Sequence, residues 1–523
     1  MKRKELDILV IGGGITGAGI LLEAARRGLT ALLVEQRDFA WGTSSRSSKL
    51  VHGGLRYLAE GRLRLTRESV REREALLRDA PGLVEPQGFA FPDYGNSARK
   101  RRSFLAGLAV YDLLAGRREV HWLDADGFRM LAPNIRSEGL AGGIRYLDAK
   151  TDDARLVLRV LDEARSHGAE ARNYVAVESL LRADGRVSGA LLRDGRTGAA
   201  GEVAARVVVN ATGAWACGIA GPGGQGRIPR LRPLRGSHLV LPAWRLPLAQ
   251  AVSLMHPLDG RPVFAFPWEG VTLVGTTDVD HADGLACEAK VTRAEFDYLM
   301  AALRAQFPQL QLDDGDVLAT YAGVRPVLDS GTRGAPSKET REHLVWDEPG
   351  LVAVTGGKLT TFRAIALDTL RHVARQLPGW RADLAPRPVF SPHAVPNGPR
   401  AVVPAVLRRL AGRHGRHAQA LVDAARDGEL DPIPGTLTPW AELRWAARRE
   451  AVQRLEDLLL RRTRLGIQLR GGGIAHMARI RAICQPELGW SDAHWETEQA
   501  AYFQLCRSHY GLPGTDTHER THA

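Results

Sequence analysis

Apolar residues along the chain fall into short runs that end in glycine, alternating with stretches of helical spacing. Leu6–Ile11 is one such run, as a parallel strand buried on both faces would be. Ile15–Arg27 follows with apolar positions at Ile20, Leu21, Ala24 and Ala25, and Gly28 marks its end. Thr30–Val34 is a second apolar run, closed by Glu35. Together they predict a β-α-β unit of about 30 residues. Further strands are predicted at Arg206–Asn210, Ser237–Leu241, Val263–Trp268, Val271–Thr276 and Leu351–Thr355. Glu269-Gly270 joins two of them as a hairpin, which calls for a second, antiparallel sheet in mid-chain.

Prolines 386, 388, 392, 396, 399 and 404 predict a linker. Beyond it, Thr438-Pro439 predicts a capped helix start, and Leu443, Ala447, Val452, Leu455 and Leu459 continue the spacing to Gly466. The expected fold class is α/β: a Rossmann-type domain, an inserted antiparallel-sheet domain and a C-terminal helical domain. The expected boundaries are 1–92, 148–225 and 340–385 for the first, 93–147 and 226–339 for the second, and 400–523 for the third.

Composition narrows the class. With 523 residues, 44% apolar, the chain suits a soluble protein of several domains. No run approaches the roughly 20 apolar residues of a membrane span, and Met1-Lys2-Arg3-Lys4 lacks the apolar region of a signal peptide. Cys217, Cys287, Cys484 and Cys506 are far apart, which argues against a zinc site or disulfide framework and suits the cytoplasm. The net charge of +12 admits nucleic acid, an anionic membrane surface or an anionic substrate. The basic residues are dispersed, with no nucleic-acid motif, so no nucleic-acid partner is expected. Only eight of 71 basic residues are lysines, and Lys49 and Lys358 sit in Ser/Gly/Thr-rich segments, where a compact point charge is useful.

Gly12-x-Gly14-Ile15-Thr16-Gly17 occupies the turn from first strand to first helix. Glycine there lets the backbone approach a diphosphate, and the helix start offers free N–H groups. Glu35 ends the second strand, where an acid accepts from ribose hydroxyls. This fingerprint serves NAD and FAD alike. Three later segments favour FAD: Thr43-Ser44-Ser45-Arg46-Ser47-Ser48-Lys49, the turn Ala211-Thr212-Gly213, and Gly356-Gly357-Lys358-Leu359-Thr360-Thr361. Each follows a strand and brings hydroxyls, a cation or helix-start N–H groups to a large anionic cofactor.

His52-Gly53-Gly54-Leu55-Arg56-Tyr57, Gly236-Ser237-His238, Gly275-Thr276-Thr277-Asp278, Gly323-Val324-Arg325-Pro326 and the Gly356–Thr361 segment together resemble the FAD-dependent sn-glycerol-3-phosphate dehydrogenase family. The resemblance runs in order to about residue 370 and is looser beyond, at Arg461-Arg462-Thr463 and Gly466. It implies oxidation of sn-glycerol 3-phosphate to dihydroxyacetone phosphate by hydride transfer to flavin N5, with electrons passed to membrane quinone. Leu50, His52 and Val175 complete the expected cofactor set.

A phosphate dianion needs guanidinium donors, and Arg56, Arg325 and Arg341 are the candidates; a surface ion pair is the alternative for Arg341. Lys358 is expected between flavin and substrate, with Tyr57 and Thr276 or Thr277 adding contacts. His52 and His238 are the candidate bases. His52 is favoured as base and His238 as a substrate-orienting donor, with the reverse assignment open. Arg99-Lys100-Arg101-Arg102 precedes the apolar stretch Phe104–Gly116, so a peripheral contact with the inner face of the cytoplasmic membrane competes with an ordinary core helix. A homodimer is also left open. The rival functions are an oxygen-using glycerol-3-phosphate oxidase, an amine or amino-acid oxidase, and a flavin-containing RNA-modifying or binding protein.

Overall fold

A computed structural model describes residues 5–95, 98–219, 230–329, 342–381 and 383–514. Five strands run parallel in the order Leu351–Gly356, Ala200–Asn210, Leu6–Ile11, Ala31–Val34 and Glu170–Arg172. Their apolar runs hide a period of two. Ile8, Val10, Leu33, Val207, Val209 and Val354 face the helices Ile15–Ala25, Asp153–Ser166 and Phe362–Gln376. Leu9, Ile11, Leu32, Val34 and Val208 face a hairpin of Val175–Ala183 and Arg186–Asp194. Both faces are covered, so residues 8–11, 31–34, 207–209 and 351–354 are unbroken apolar runs.

The expected second sheet is present, with ten strands among the described residues. Leu231–Pro242 pairs with Val271–Gly275 and Ala319–Leu328, and Pro262–Trp268 returns to Val271–Gly275 through Glu269 and Gly270, both at positive φ. Val84–Asp93 and Gly142–Thr151 also belong to it, paired from Val84↔Thr151 to Asp93↔Gly142. Residues 84–92 and 148–151, expected in the cofactor domain, pair within this second sheet. Leu239, Leu241, Ala265 and Val274 face the helix Arg293–Gln306, while Val240, Phe266, Leu273 and Tyr321 face the C-terminal helices.

Two C-terminal expectations change. The helix beginning at Thr438-Pro439 takes Pro439, not Thr438, as its cap and ends at Arg449, with Ala451 at positive φ. Tertiary ion pairs outweigh the spacing here. Glu450 binds Arg155 of the first domain, and Asp457 accepts from the Gln453 and Arg454 N–H groups (2.9 Å each) to start a new wide turn, Asp457–Arg462. Arg461 and Arg462 then donate to the buried Asp38 at 2.6–2.7 Å, fastening the helical domain to the cofactor domain. The proline-rich stretch is no free linker: Arg26 donates to the carbonyls of Pro388 and Val389 (2.9 Å each), and Val389 and Phe390 are buried. Among the described residues, no helix is long and apolar enough to cross a membrane.

Candidate functional site

The carboxyl ends of the parallel strands and one edge of the second sheet enclose a cavity of about 770 Å³. Its floor is the glycine turn. Gly12 has φ +111°, and a Cβ there would stand 2.7 Å from the Ala211 carbonyl oxygen. A Cβ on Gly17 would stand 1.9 Å from the Gly12 oxygen, so Gly17 lets helix and strand meet beneath the cavity rather than lining it. Gly12, Gly14 and Thr16 line it. The Glu35 carboxylate accepts from the Gly13 N–H (2.8 Å) and the Arg37 N–H (2.9 Å) and lies at the wall.

Thr43, Ser44, Ser48 and Leu50 line the cavity, and Ser44 Oγ accepts from the Ile15 N–H at 3.0 Å. Val175, Ala211, Thr212 and Gly213 line it from the first sheet, and Gly357, Lys358, Leu359 and Thr360 from the turn into the last Rossmann helix. Trp41, Trp215 and Phe264 are wall residues that the sequence did not single out. These groups suit FAD: a cradle that any Cβ would fill, an acid at the ribose position, hydroxyls and apolar walls.

Ser45 and Lys49, both expected on the cofactor, do not line the cavity. Lys49 is fully buried, and its Nζ donates to Asp153 (2.9 Å) and to the Ser45 carbonyl (3.0 Å). Burial, with the Arg464 charge adding, lowers its pKa to about 8 against the pull of Asp153. Ser47 and Arg464 donate to the same carboxylate, so Asp153 braces this loop from behind.

At the other end, His52 follows the strand Leu50–Val51 and lines the cavity, its ring flanked by Phe89 (5.6 Å) and Phe264 (6.1 Å). His52 Nδ1 lies 3.1 Å from Asp148 Oδ2. Asp148 is buried, yet the Arg73 guanidinium and hydrogen bonds from His52 and Arg73 outweigh burial and hold its pKa at about 2.

Arg325 lines the cavity. It donates to Thr276 Oγ1 (2.9 Å), Asp278 Oδ1 (2.6 Å) and the Thr277 carbonyl (3.1 Å). A Cβ on Gly236 would stand 2.1 Å from this guanidinium, which explains the glycine of Gly236-Ser237-His238. Lys358 donates to Ser69 Oγ (2.9 Å) and sits 4.1 Å over the Tyr57 ring, so the buried Tyr57, expected on substrate, supports Lys358 instead.

His238 does not reach the cavity. It is buried, stacked on Tyr321 at 4.6 Å, and its Nε2 lies 2.9 Å from Ser48 Oγ. Burial and the charges of Arg325 and Lys49 hold its pKa well below the ordinary value, so it is neutral. His238, expected on substrate, stands behind the wall beside Ser48, its strand turning it toward the C-terminal core. Thr276 lines the cavity, whereas Thr277 is buried, donating to Glu295 (2.9 Å) and accepting from the Ser237 N–H (3.0 Å). Arg341 and the Arg56 side chain lie outside the described residues.

A family model described as FAD dependent oxidoreductase matches residues 7–367. A second, described as the C-terminal domain of alpha-glycerophosphate oxidase, matches residues 371–495. Glycerol-3-phosphate dehydrogenase 2 of Mycobacterium tuberculosis strain H37Rv is 37% identical, covering 95% of this chain and 88% of that protein. The aerobic glycerol-3-phosphate dehydrogenase of Staphylococcus aureus strain USA300 is 33% identical, covering 88% and 87%. Among solved structures, the glycerol-3-phosphate dehydrogenase from Bacillus halodurans complexed with FAD matches with TM-score 0.74 and 28% identity, over 97% of this chain and 95% of that one. With a glycine cradle and a continuous wall suited to the cofactor, this chain belongs to the FAD-dependent glycerol-3-phosphate dehydrogenase family.

Proposed function

We propose that the chain oxidises sn-glycerol 3-phosphate to dihydroxyacetone phosphate and passes the electrons to a membrane quinone. The observation that carries this reading is one cavity lined by the glycine turn, His52, Arg325 and Lys358. Bound FAD supplies the hydride acceptor. Arg325 binds the phosphate through its forked donors, held in direction by Asp278 and Thr276. Lys358 adds a point charge that can move little, being held between Ser69 and Tyr57. His52 takes the hydroxyl proton, since Asp148 occupies its Nδ1 and leaves the other ring nitrogen for substrate. Phe89 and Phe264 flank its ring and fix its plane.

Electron delivery to quinone places the protein at the inner face of the cytoplasmic membrane. Val110 and Leu113, exposed on the helix Ala98–Ala115 beside Arg117 and Arg118, support such a contact. The opposite face of this helix, with Leu108 and Tyr111, belongs to the core.

Anaerobic mixing with sn-glycerol 3-phosphate is expected to bleach the flavin band, and a soluble quinone analogue to restore it faster than oxygen does. Faster recovery with oxygen would make the chain an oxidase. Bleaching by D-amino acids but not by the phosphate ester would overturn the substrate.

A further inference from the structure

Asp148 lies in the strand Gly142–Thr151, 96 residues from His52, and is 1% exposed. Its two oxygens have different tasks. Oδ1 accepts from the Gly53 N–H (2.9 Å), the Tyr111 hydroxyl (2.8 Å) and Arg73. Oδ2 faces His52 Nδ1. Arg73 comes from the helix Leu63–Asp79 and Tyr111 from Ala98–Ala115, so four elements converge on one carboxylate.

The packing is specific to this arrangement. A Cβ on Gly53 would stand 2.1 Å from the Tyr111 hydroxyl and 2.8 Å from Arg73, so glycine beside His52 lets these donors close on Asp148. Burying a carboxylate is costly, and an apolar side chain would hold these elements together more cheaply. Unlike Arg73 and Asp148, His52 is 36% exposed and opens on the cavity. The carboxylate thus connects a rigid interior to one mobile-proton group at the substrate end.

We infer that Asp148 is the positioning residue of a His52–Asp148 dyad, held in place by Gly53, Arg73 and Tyr111. An ionised carboxylate only accepts, so Nδ1 carries the proton and Nε2 keeps the lone pair that receives the substrate proton. The alcohol proton moves to Nε2, the imidazolium that forms is stabilised by Asp148, and Asp148 itself takes no proton. The inference rests on His52 being the base.

The test compares Asp148→Asn, Asp148→Glu, His52→Gln and the double variant H52Q/D148N in anaerobic flavin reduction by sn-glycerol 3-phosphate. Asp148→Asn is expected to slow reduction about 100-fold, the lower range of a general-base contribution, with little change in KM. Asp148→Glu is expected to recover part of the rate. The double variant should be no slower than His52→Gln alone, because Asp148 acts through His52. A second readout needs no turnover: carbethoxylation of His52 by diethyl pyrocarbonate, mapped by mass spectrometry, should be several-fold slower in Asp148→Asn.

Wild-type reduction in Asp148→Asn, or losses that multiply in the double variant, would overturn the dyad while leaving His52 as base. Wild-type reduction in His52→Gln would overturn the reading beneath it. Should Asn at position 148 prevent folding, Tyr111→Phe removes one donor to the carboxylate. It is expected to slow both reduction and carbethoxylation, and no change in either would overturn the inference.

Discussion

Two segments of this chain look alike in sequence and end in opposite places. Thr43–Lys49 and Gly356–Thr361 are both rich in small polar residues, and each carries one lysine in a chain that mostly uses arginine. In the first, Thr43, Ser44 and Ser48 face the cavity while Lys49, at φ +55°, turns back into Asp153. In the second, Gly356 and Gly357, at φ +78° and +79°, swing the chain so that Lys358 lies over Tyr57 at the cavity wall. The difference is a partner. Asp153 holds Lys49 from 104 residues away, and Ser69 and Tyr57 hold Lys358 at the wall. A lysine's type is a local property, but its destination is set by the partners that tertiary structure supplies.

The comparison can be broken at either lysine, with Arg325 as reference for a direct substrate contact. Arg325→Ala has the largest expected effect: loss of a forked, charge-assisted pair, about 3 kcal/mol or more, raises KM for the phosphate ester roughly 100-fold. Steady-state kinetics check this, and an unchanged KM would remove the phosphate site from Arg325. Lys49→Met removes the nearest cation from the buried Asp153, leaving Ser47 and Arg464 on it, and is expected to cost about 2 kcal/mol of stability in denaturant melts. Its KM should move little, and a KM effect like that of Arg325→Ala would put Lys49 back at the ligand. Lys358→Met should do the reverse, lowering kcat/KM by about 10-fold, the worth of one charged hydrogen bond, with an unchanged melting temperature.

A smaller effect concerns pH. Lys49 in the folded chain titrates at about 8, below its ordinary value of 10.5. Between these two values the unfolded chain binds a proton that the folded chain has released, so this group makes stability rise with pH across that window. Below about 8 both states are protonated and the contribution is constant. Melts from pH 7 to 10 should therefore show wild type gaining on Lys49→Met as pH rises. A gap that narrows would contradict the burial of Lys49.

Much of the architecture was legible because its signals are local. Leu6–Ile11, the glycine turn, Glu35 and the Glu269-Gly270 hairpin each carry their meaning within a few residues. The glycines of the later motifs were legible as motifs, but their cause was not: Gly236 makes room for Arg325 and Gly275 for His238, whose ring would lie 2.2 Å from a Cβ there. Asp148 carried no signal because its value depends on pairing Leu50–Val51 with Lys150 and Ala149 across the second sheet. The C-terminal helix stops at Arg449 against its regular spacing for a similar reason, since Glu450 is drawn into an ion pair with Arg155. His238 kept its motif and lost its expected contact, because strand alternation turned it to the C-terminal core.

The central claim is that the cationic end of the cavity selects a phosphorylated alcohol. The most direct test is anaerobic flavin reduction by sn-glycerol 3-phosphate and by glycerol, in wild type and in Arg325→Ala. The account predicts that wild type strongly prefers the phosphate ester and that the preference collapses in the variant. A variant that keeps the preference, or a wild type that reduces equally with both alcohols, would contradict it.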